Sequence, residues 1–248
     1  MSSLQVVDIT LRFGEQEILR GVSFSIAAGE TVGIIGPNGS GKTTLFNCLS
    51  GFVAAQAGQI RLAQREISSA SPDARARLGL GRVFQNFGVF REMTVLENML
   101  LALESRLPWY SRLKPGSNSA LEAEAHLLLA QVKLQDKAKH KAGSLSGGQL
   151  RLLEISRMRA FGASVLLLDE PTAGVSPIMK EEVARVLNEL QAEKKTIVVI
   201  EHDITFIQKF CRRVIVLDQG RIVLDGSPEQ IRASPLLQEI YFGRNEQK

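Results

Sequence analysis

Three short stretches of this chain gather residue types that act on phosphate. The first is Gly36-Pro37-Asn38-Gly39-Ser40-Gly41-Lys42-Thr43, followed by Thr44. Its glycines free the backbone to wrap an anion with N–H groups. Lys42 would reach the outer phosphates, and the Thr43 hydroxyl would serve Mg²⁺. The setting supports this, because an apolar run at 31–35 precedes the stretch and a helical pattern at 41–49 follows it. The second stretch, Val165-Leu166-Leu167-Leu168-Asp169-Glu170, is a buried-strand pattern ending in two carboxylates. At the carboxyl end of such a strand, Asp169 could hold Mg²⁺ beside the phosphates and Glu170 could polarise an attacking water. The third, Leu145-Ser146-Gly147-Gly148-Gln149, has a helix-capping serine and two glycines that bare N–H groups at a helix start. It is a second anion cradle. One nucleotide rarely needs two cradles, but two make sense if a second chain lends its own and each nucleotide is sandwiched between subunits.

These residues need parallel strands to carry them. Runs at 4–11, 22–26 and 31–35 are β-rich and separated by Gly turns, and 59–62 reads as a further short strand. From about 86 to 162 the apolar spacing is helical, as in Val95, Met99, Ala102 and Leu103, or Leu127, Leu128, Val132 and Leu134. A Pro-, Gly- and Ser-containing break at 108–119 reads as a loop. Runs at 165–168 and 196–200 are continuously apolar, the pattern of parallel strands covered on both faces. Between them Ser176-Pro177 reads as an N-cap and first helical residue, with Ile178, Val183, Val186, Leu187 and Leu190 as the inner face. Runs at 214–218 and 221–225 around Gln219-Gly220 suggest a hairpin. The pattern predicts an α/β fold as a single domain. Residues 1–85 and 163–248 would form a parallel core with an antiparallel β part at the N-terminus, and about 86–162 an inserted helical block.

Composition narrows the class. The 248 residues are 44% apolar and 23% charged, which excludes a disordered or collagen-like chain. A net charge of +4 without clustering argues against a dedicated nucleic-acid binder. Cys48 and Cys211 are too far apart in sequence for a metal-ligand spacing, and a pair so placed fits a reducing compartment rather than a disulfide scaffold. The first residues carry Asp8 and no apolar signal segment, and no apolar run approaches the roughly 20 residues that span a bilayer. The expectation is a protein acting from the cytosolic side of any membrane it meets.

With these motifs in hand, the chain resembles the ATP-binding subunits of ABC transporters over essentially its whole length. The broad resemblance rests on residues 36–43, Gln85 after a strand, the signature 145–149, Asp169-Glu170, and His202 after the run 196–200. A narrower resemblance, to the branched-chain amino-acid importer ATPases, rests on Arg82-Val83-Phe84-Gln85-Asn86 and Met93-Thr94-Val95-Leu96-Glu97-Asn98. Ala173-Gly174-Val175-Ser176-Pro177 and Glu201-His202-Asp203 also contribute to it. The chain departs from those patterns at three points. Ser176 stands where ABC proteins often have Asp, Leu150 follows the signature in place of Gln or Arg, and Gly147 stands where many branched-chain ATPases have Tyr.

The resemblance implies a P-loop NTPase cassette that binds ATP and Mg²⁺. Phe13 would stack on the adenine, and Gly36, Pro37, Asn38, Gly39, Ser40, Gly41, Lys42, Thr43 and Thr44 would hold the phosphates. Thr43, Gln85 and Asp169 would serve the metal, and Gln85 would also sense the γ-phosphate. Glu170 is the implied base, with His202 holding it and the water, and with Lys42 and Gln85 completing the catalytic set. Ser146, Gly147, Gly148 and Gln149 would meet the ATP held by a partner chain. His126 and His140, in the helical block, read as surface residues. The implied partners are integral membrane permeases, a second copy or a paralogous ATPase, and indirectly a substrate-binding protein. No nucleic acid is implied, and the place of work would be the cytoplasmic face of the inner (plasma) membrane, peripherally. Phe87, Val89 and Phe90 could line a groove for a short permease helix, against plain core packing as the alternative. Competing readings are a lipid or polysaccharide exporter ATPase, a urea or amide importer, a soluble ABC-type regulatory or repair ATPase, and a P-loop kinase.

Overall fold

Strands with alternating or continuous apolar residues sort into two sheets. The computed structural model describes residues 2–85, 88–107 and 117–242. β1 (Ser2–Phe13), β2 (Gln16–Ala27), β4 (Ala57–Leu62) and β5 (Arg65–Glu66) form an antiparallel sheet in the order β2-β1-β4-β5. β3 (Thr31–Ile35), β6 (Leu80–Val83), β7 (Val165–Asp169), β8 (Thr196–Ile200), β9 (Arg213–Asp218) and β10 (Arg221–Gly226) form the second, ordered β10-β9-β3-β8-β7-β6. Its strands pair in parallel except for β10, which closes the edge as an antiparallel hairpin with β9. The two sheets are tied by Arg20 N–H, which donates to the Gly220 carbonyl at 2.9 Å.

Every residue of β3, β6, β7 and β8 is buried. Successive side chains of these strands go to opposite layers. Val32, Ile34, Val165, Leu167, Val198 and Ile200 join α1 (Lys42–Ser50) and the antiparallel sheet in one core. Ile35, Leu166, Leu168, Ile197 and Val199 join the helices in the other. β1 keeps Leu4, Val6, Ile9 and Leu11 in the core only because its register shifts between Val6 and Ile9, where Asp8 adopts φ 52°.

α2 (Pro72–Arg77) leads into β6, and α3 (Val95–Ser105), α4 (Ser117–Gln131) and α5 (Gly147–Phe161) lie between β6 and β7. α6 (Pro177–Ala192) joins β7 to β8, α7 (Ile204–Phe210) joins β8 to β9, and α8 (Pro228–Ala233) and α9 (Pro235–Phe242) follow β10. Among the described residues no helix is long and apolar enough to cross a membrane. The stretch read as a loop at 108–119 falls outside the described residues up to 116, and from Ser117 the chain is helical.

Ile178, read as inward-facing, and Leu127, counted in the helical spacing of the middle block, both point out. Ile178 is 74% exposed, because it occupies the first turn of α6 just past its Ser176 cap, while Val183, Val186, Leu187 and Leu190 are buried. Leu127 is 67% exposed, because α4 buries Leu121, Ala125 and Leu129 at fourfold spacing and Leu127 lies off that stripe. His126 and His140 are exposed. Both cysteines are free and buried, and burial pushes the Cys48 thiol up to about 11 and the Cys211 thiol up as well.

One buried cation does structural work that no motif announces. Arg75 is 2% exposed and donates to the Cys48, Leu49, Ser68 and Ala70 carbonyls. Cys48 and Leu49 belong to the last turn of α1, where the Gly51 N–H reaches the Cys48 carbonyl at 3.2 Å and Arg75 supplies a further donor to both carbonyls. Arg75→Met would take the side-chain donor from the Leu49, Ser68 and Ala70 carbonyls and leave Cys48 with Gly51 alone, so we expect a loss of about 2–4 kcal/mol in urea unfolding. A midpoint matching that of the wild-type protein would refute the capping role.

Candidate active site

The cradle forms where β3 ends and α1 begins. Gly36 leaves the strand at φ 155°, and a Cβ there would lie 2.0 Å from the Leu217 carbonyl, so only glycine fits. Gly41 caps α1 in the left-handed region with no side-chain cap bond, which leaves the first N–H groups of the helix to a ligand. Lys42 is 6% exposed, and its Nζ donates to the Gly36 and Pro37 carbonyls at 2.8 and 2.9 Å. Ser40 Oγ is buried with no hydrogen-bond partner among the described residues. A basic end, a bare helix start and an orphaned hydroxyl fit the phosphates of a nucleotide, and Thr43 stands exposed beside them. Burial pulls the Lys42 ammonium down, while Glu170 and Asp169 act against it.

β7 delivers the carboxylates. Asp169 is 2% exposed, and burial raises its carboxyl while Arg82 pulls it down. Arg82 on β6 ion-pairs with it at 3.1 Å and also donates to Asn47 Oδ1 at 2.7 Å and Ser50 Oγ at 2.8 Å. Its guanidinium lies 4.8 Å from the centre of the Phe84 ring. Glu170 adopts φ 49°, a left-handed conformation costing about 1 kcal/mol or more for a non-glycine residue. From that turn its two oxygens part. His202 Nε2 lies 3.0 Å from Oε1, and Gln85 Nε2 donates to Oε2 at 3.2 Å. Lys42, Gln85, Asp169, Glu170 and His202 thus converge at the carboxyl end of the parallel sheet, where ligands bind in open α/β folds. An anion cradle, a buried carboxylate facing the ammonium, and a second carboxylate held by His and Gln are the parts of a phosphate-hydrolysing site. The acidic Asp169 and the hydroxyl of Thr43 form a hard-oxygen donor set, and these residues fit Mg²⁺.

The signature segment opens α5. Ser146 Oγ accepts from Gln149 N–H at 3.4 Å and Gln149 Oε1 accepts from Ser146 N–H at 3.1 Å, a reciprocal cap. Gly147 and Gly148 lie in the first turn with it, and a Cβ on Gly148 would come within 2.7 Å of Met179 Cγ on α6. No hydrogen bond joins this segment to the P-loop among the described residues, and Phe13 stands apart on β1, 54% exposed. Asn86 and Phe87 lie outside the described residues.

α5 also grips the segment that carries Gln85. Glu154, 1% exposed, accepts from the Phe84 and Gly88 N–H groups at 3.1 and 2.9 Å. Arg151 ion-pairs with Glu154 and donates to the Phe84 and Gln85 carbonyls, and Arg157 donates to the Gly88 carbonyl. The clamp was not visible as a motif, and Arg82, although it opens the Arg82-Val83-Phe84-Gln85-Asn86 stretch, was not read as the partner of Asp169. The signal that could have found these contacts is charge in an otherwise apolar strand or helix face: Arg82 within Leu-Gly-Arg-Val, and Arg151, Glu154 and Arg157 among Leu and Ile.

Known proteins resemble this chain in sequence and fold. Residues 19–173 match the ABC transporter family. The high-affinity branched-chain amino acid transport ATP-binding protein BraF of Pseudomonas aeruginosa is 37% identical over 252 residues, covering 97% of each chain. The lipopolysaccharide export system ATP-binding protein LptB of Acidithiobacillus ferridurans is 35% identical, covering 97% of this chain and 96% of its own. Among solved structures, the ADP conformation of MJ1267, an ATP-binding cassette of an ABC transporter, superposes with a TM-score of 0.86 at 34% identity. That match covers 98% of this chain and 99% of the other. A dimeric post-hydrolysis cassette, MJ0796 bound to ADP and Pi, superposes at 0.80 with 28% identity over 91% of this chain and 98% of its own.

Glu154→Ala would leave the Phe84 and Gly88 N–H groups without their acceptor and take from Arg151 its carboxylate partner. We expect a destabilisation of about 3–5 kcal/mol. Amide exchange at Phe84 and Gly88 should also be faster than in neighbouring β6. Unchanged protection at both amides would dismiss the clamp.

Proposed function

The chain belongs to the ATP-binding subunits of ABC transporters, ATP hydrolases coupled to transport, and on that premise we propose that it drives an importer of branched-chain or related amino acids. The catalytic reading rests on one observation: Glu170, beside the P-loop lysine, is bracketed by His202 and Gln85. ATP would seat its phosphates on the backbone of residues 36–41 and the start of α1. Lys42 would exchange its two carbonyl contacts for phosphate oxygens, so its charge is held ready without prior solvation. Phe13 would stack on the adenine.

Glu170 accepts the proton of the attacking water in this scheme. His202 fixes the carboxylate from one oxygen and Gln85 from the other, so the base is oriented before ATP arrives. Thr43, Asp169 and Gln85 would hold Mg²⁺, with Arg82 keeping Asp169 in place. When bound, the metal neutralises charge on the β- and γ-phosphate oxygens.

A second chain, either a copy or a paralogous ATPase, would bring Ser146, Gly147, Gly148 and Gln149 over the γ-phosphate. ATP then favours the closed pair because it contacts both chains, and hydrolysis removes that advantage. The dimeric structure of the ATP-binding cassette MJ0796 bound to ADP and Pi supports this reading. The permease partner would dock at a groove of about 210 Å³ lined by Phe52, Pro72, Ala76, Arg82, Phe84 and Phe161. The aromatic set differs from the one read in the sequence. Val89 packs against the core, and Phe90 is half-exposed under Arg157. Such docking, with a substrate-binding protein beyond the permease, puts the chain peripherally at the cytoplasmic membrane face.

Glu170→Gln should retain ATP binding and lose steady-state turnover by several hundred-fold or more, about 10²–10⁴ for a positioned base. Hydrolysis at the wild-type rate would eliminate Glu170 as the base. For the cargo, vesicles reconstituted with the permease and binding protein should take up labelled leucine on ATP addition. If they take up no amino acid, the import reading fails and the exporter reading suggested by the LptB relative gains.

A further inference from the structure

Glu201 is a buried carboxylate with no part in the scheme above. It follows β8 directly, is 3% exposed, and touches neither the P-loop nor Glu170 by hydrogen bond. Its contacts are nonetheless specific. Oε1 accepts from both the N–H and the hydroxyl of Thr172, at 2.8 and 2.7 Å. Oε2 accepts from the N–H of His202 at 3.2 Å. The Arg151 guanidinium lies within electrostatic range of the charge. One carboxylate therefore holds the turn two residues after Glu170 with one oxygen, and the backbone of His202 with the other.

That pairing matters because Glu170 sits in a conformation its own residue type disfavours, at φ 49°. Its backbone is held by its N–H on the Ile200 carbonyl at 3.0 Å and by the Ala173 N–H on its own carbonyl at 3.1 Å. Thr172 lies between those residues and is 2% exposed, so its N–H has no solvent to fall back on if Glu201 is removed. The loop would then relax toward ordinary backbone angles, and Glu170 would swing away from His202.

We propose that Glu201 is a positioning residue for ATP hydrolysis, which sets the left-handed turn of Glu170 and the distance between Glu170 and His202. The proposal rests on Glu170 being the base. Glu201 acts only through the two loops it joins, so it should govern kcat and leave the ATP cradle alone.

The test uses the full-length chain, with kcat and KM for ATP measured for Glu201→Ala, Glu201→Gln, Thr172→Val and the Glu201→Ala/Thr172→Val pair. We expect Glu201→Ala to lower kcat roughly 10- to 100-fold, the scale of a misplaced catalytic group, with KM near wild type. Gln keeps an acceptor for Thr172, so Glu201→Gln should recover most of the loss. Thr172→Val removes one of the two Thr172 bonds and should cost roughly two- to tenfold. The double variant should be no worse than Glu201→Ala alone, because both act through one contact. The proposal is overturned by a wild-type kcat in Glu201→Ala, by a loss confined to KM, by Gln performing no better than Ala, or by additive losses in the double variant. If Glu201→Ala does not fold, Glu201→Gln and Thr172→Val decide the matter. Near-wild-type kcat in Glu201→Gln with a measurable loss in Thr172→Val supports the proposal, and a wild-type Thr172→Val overturns it. Glu170→Gln, assayed alongside, separates the two readings. Full activity there removes the base itself, whereas an inactive Glu170→Gln with a fully active Glu201→Ala removes only the role of Glu201.

Discussion

Asp169 stands almost fully buried at the end of a strand whose preceding residues are all apolar, facing a lysine that is itself nearly out of water. Charges held in such a place are costly unless each meets a partner. Arg82 supplies one for Asp169, backbone carbonyls supply them for Lys42, and His202 and Gln85 supply them for Glu170. The parallel sheet makes this possible. Its side chains are used up by two apolar layers, so polar groups gather where the strands stop. β3, β7 and β8 run abreast, with Ile34 opposite Ile200 and Ile200 opposite Asp169. The cradle, the carboxylates and His202 therefore open onto one edge.

Much of that arrangement was legible from residue order because it depends on short local patterns. β3 and β8 occupy the same residues as the apolar runs read as strands, since a strand buried on both faces leaves an unbroken apolar signal. The Ser146 and Ser176 caps were legible for a similar reason: a capping side chain bonds only two or three residues away. The glycine stretch and the Asp-Glu pair carried the nucleotide reading.

What escaped depends on distance. Arg75 reaches carbonyls 26 and 27 positions earlier in the chain, Arg82 reaches Asp169 across 87, and Glu201 reaches Thr172 across 29. No periodicity encodes such pairs; they exist only once the sheet has brought its strands together. The outward turn of Ile178 escaped for a different reason. The helical period was right, but Ile178 lies in the first turn beside the Ser176 cap, ahead of the buried positions that begin at Val183. Likewise the groove walls come from residues 50–84 and 158–161, two regions the sequence reading had kept apart.

α5 has a mechanical consequence. Its fifteen residues make a rod about 22 Å long, with Ser146 capping one end and Phe161, a wall of the groove, at the other. Midway along it, Arg151, Glu154 and Arg157 fasten the backbone of Phe84, Gln85 and Gly88. A rod so fastened pivots rather than bends, and a tilt of about 10° would carry one tip about 4 Å relative to the other over that length. Pressure on the groove would then displace the signature, as the two arms of a single lever with Gln85 fastened near its fulcrum.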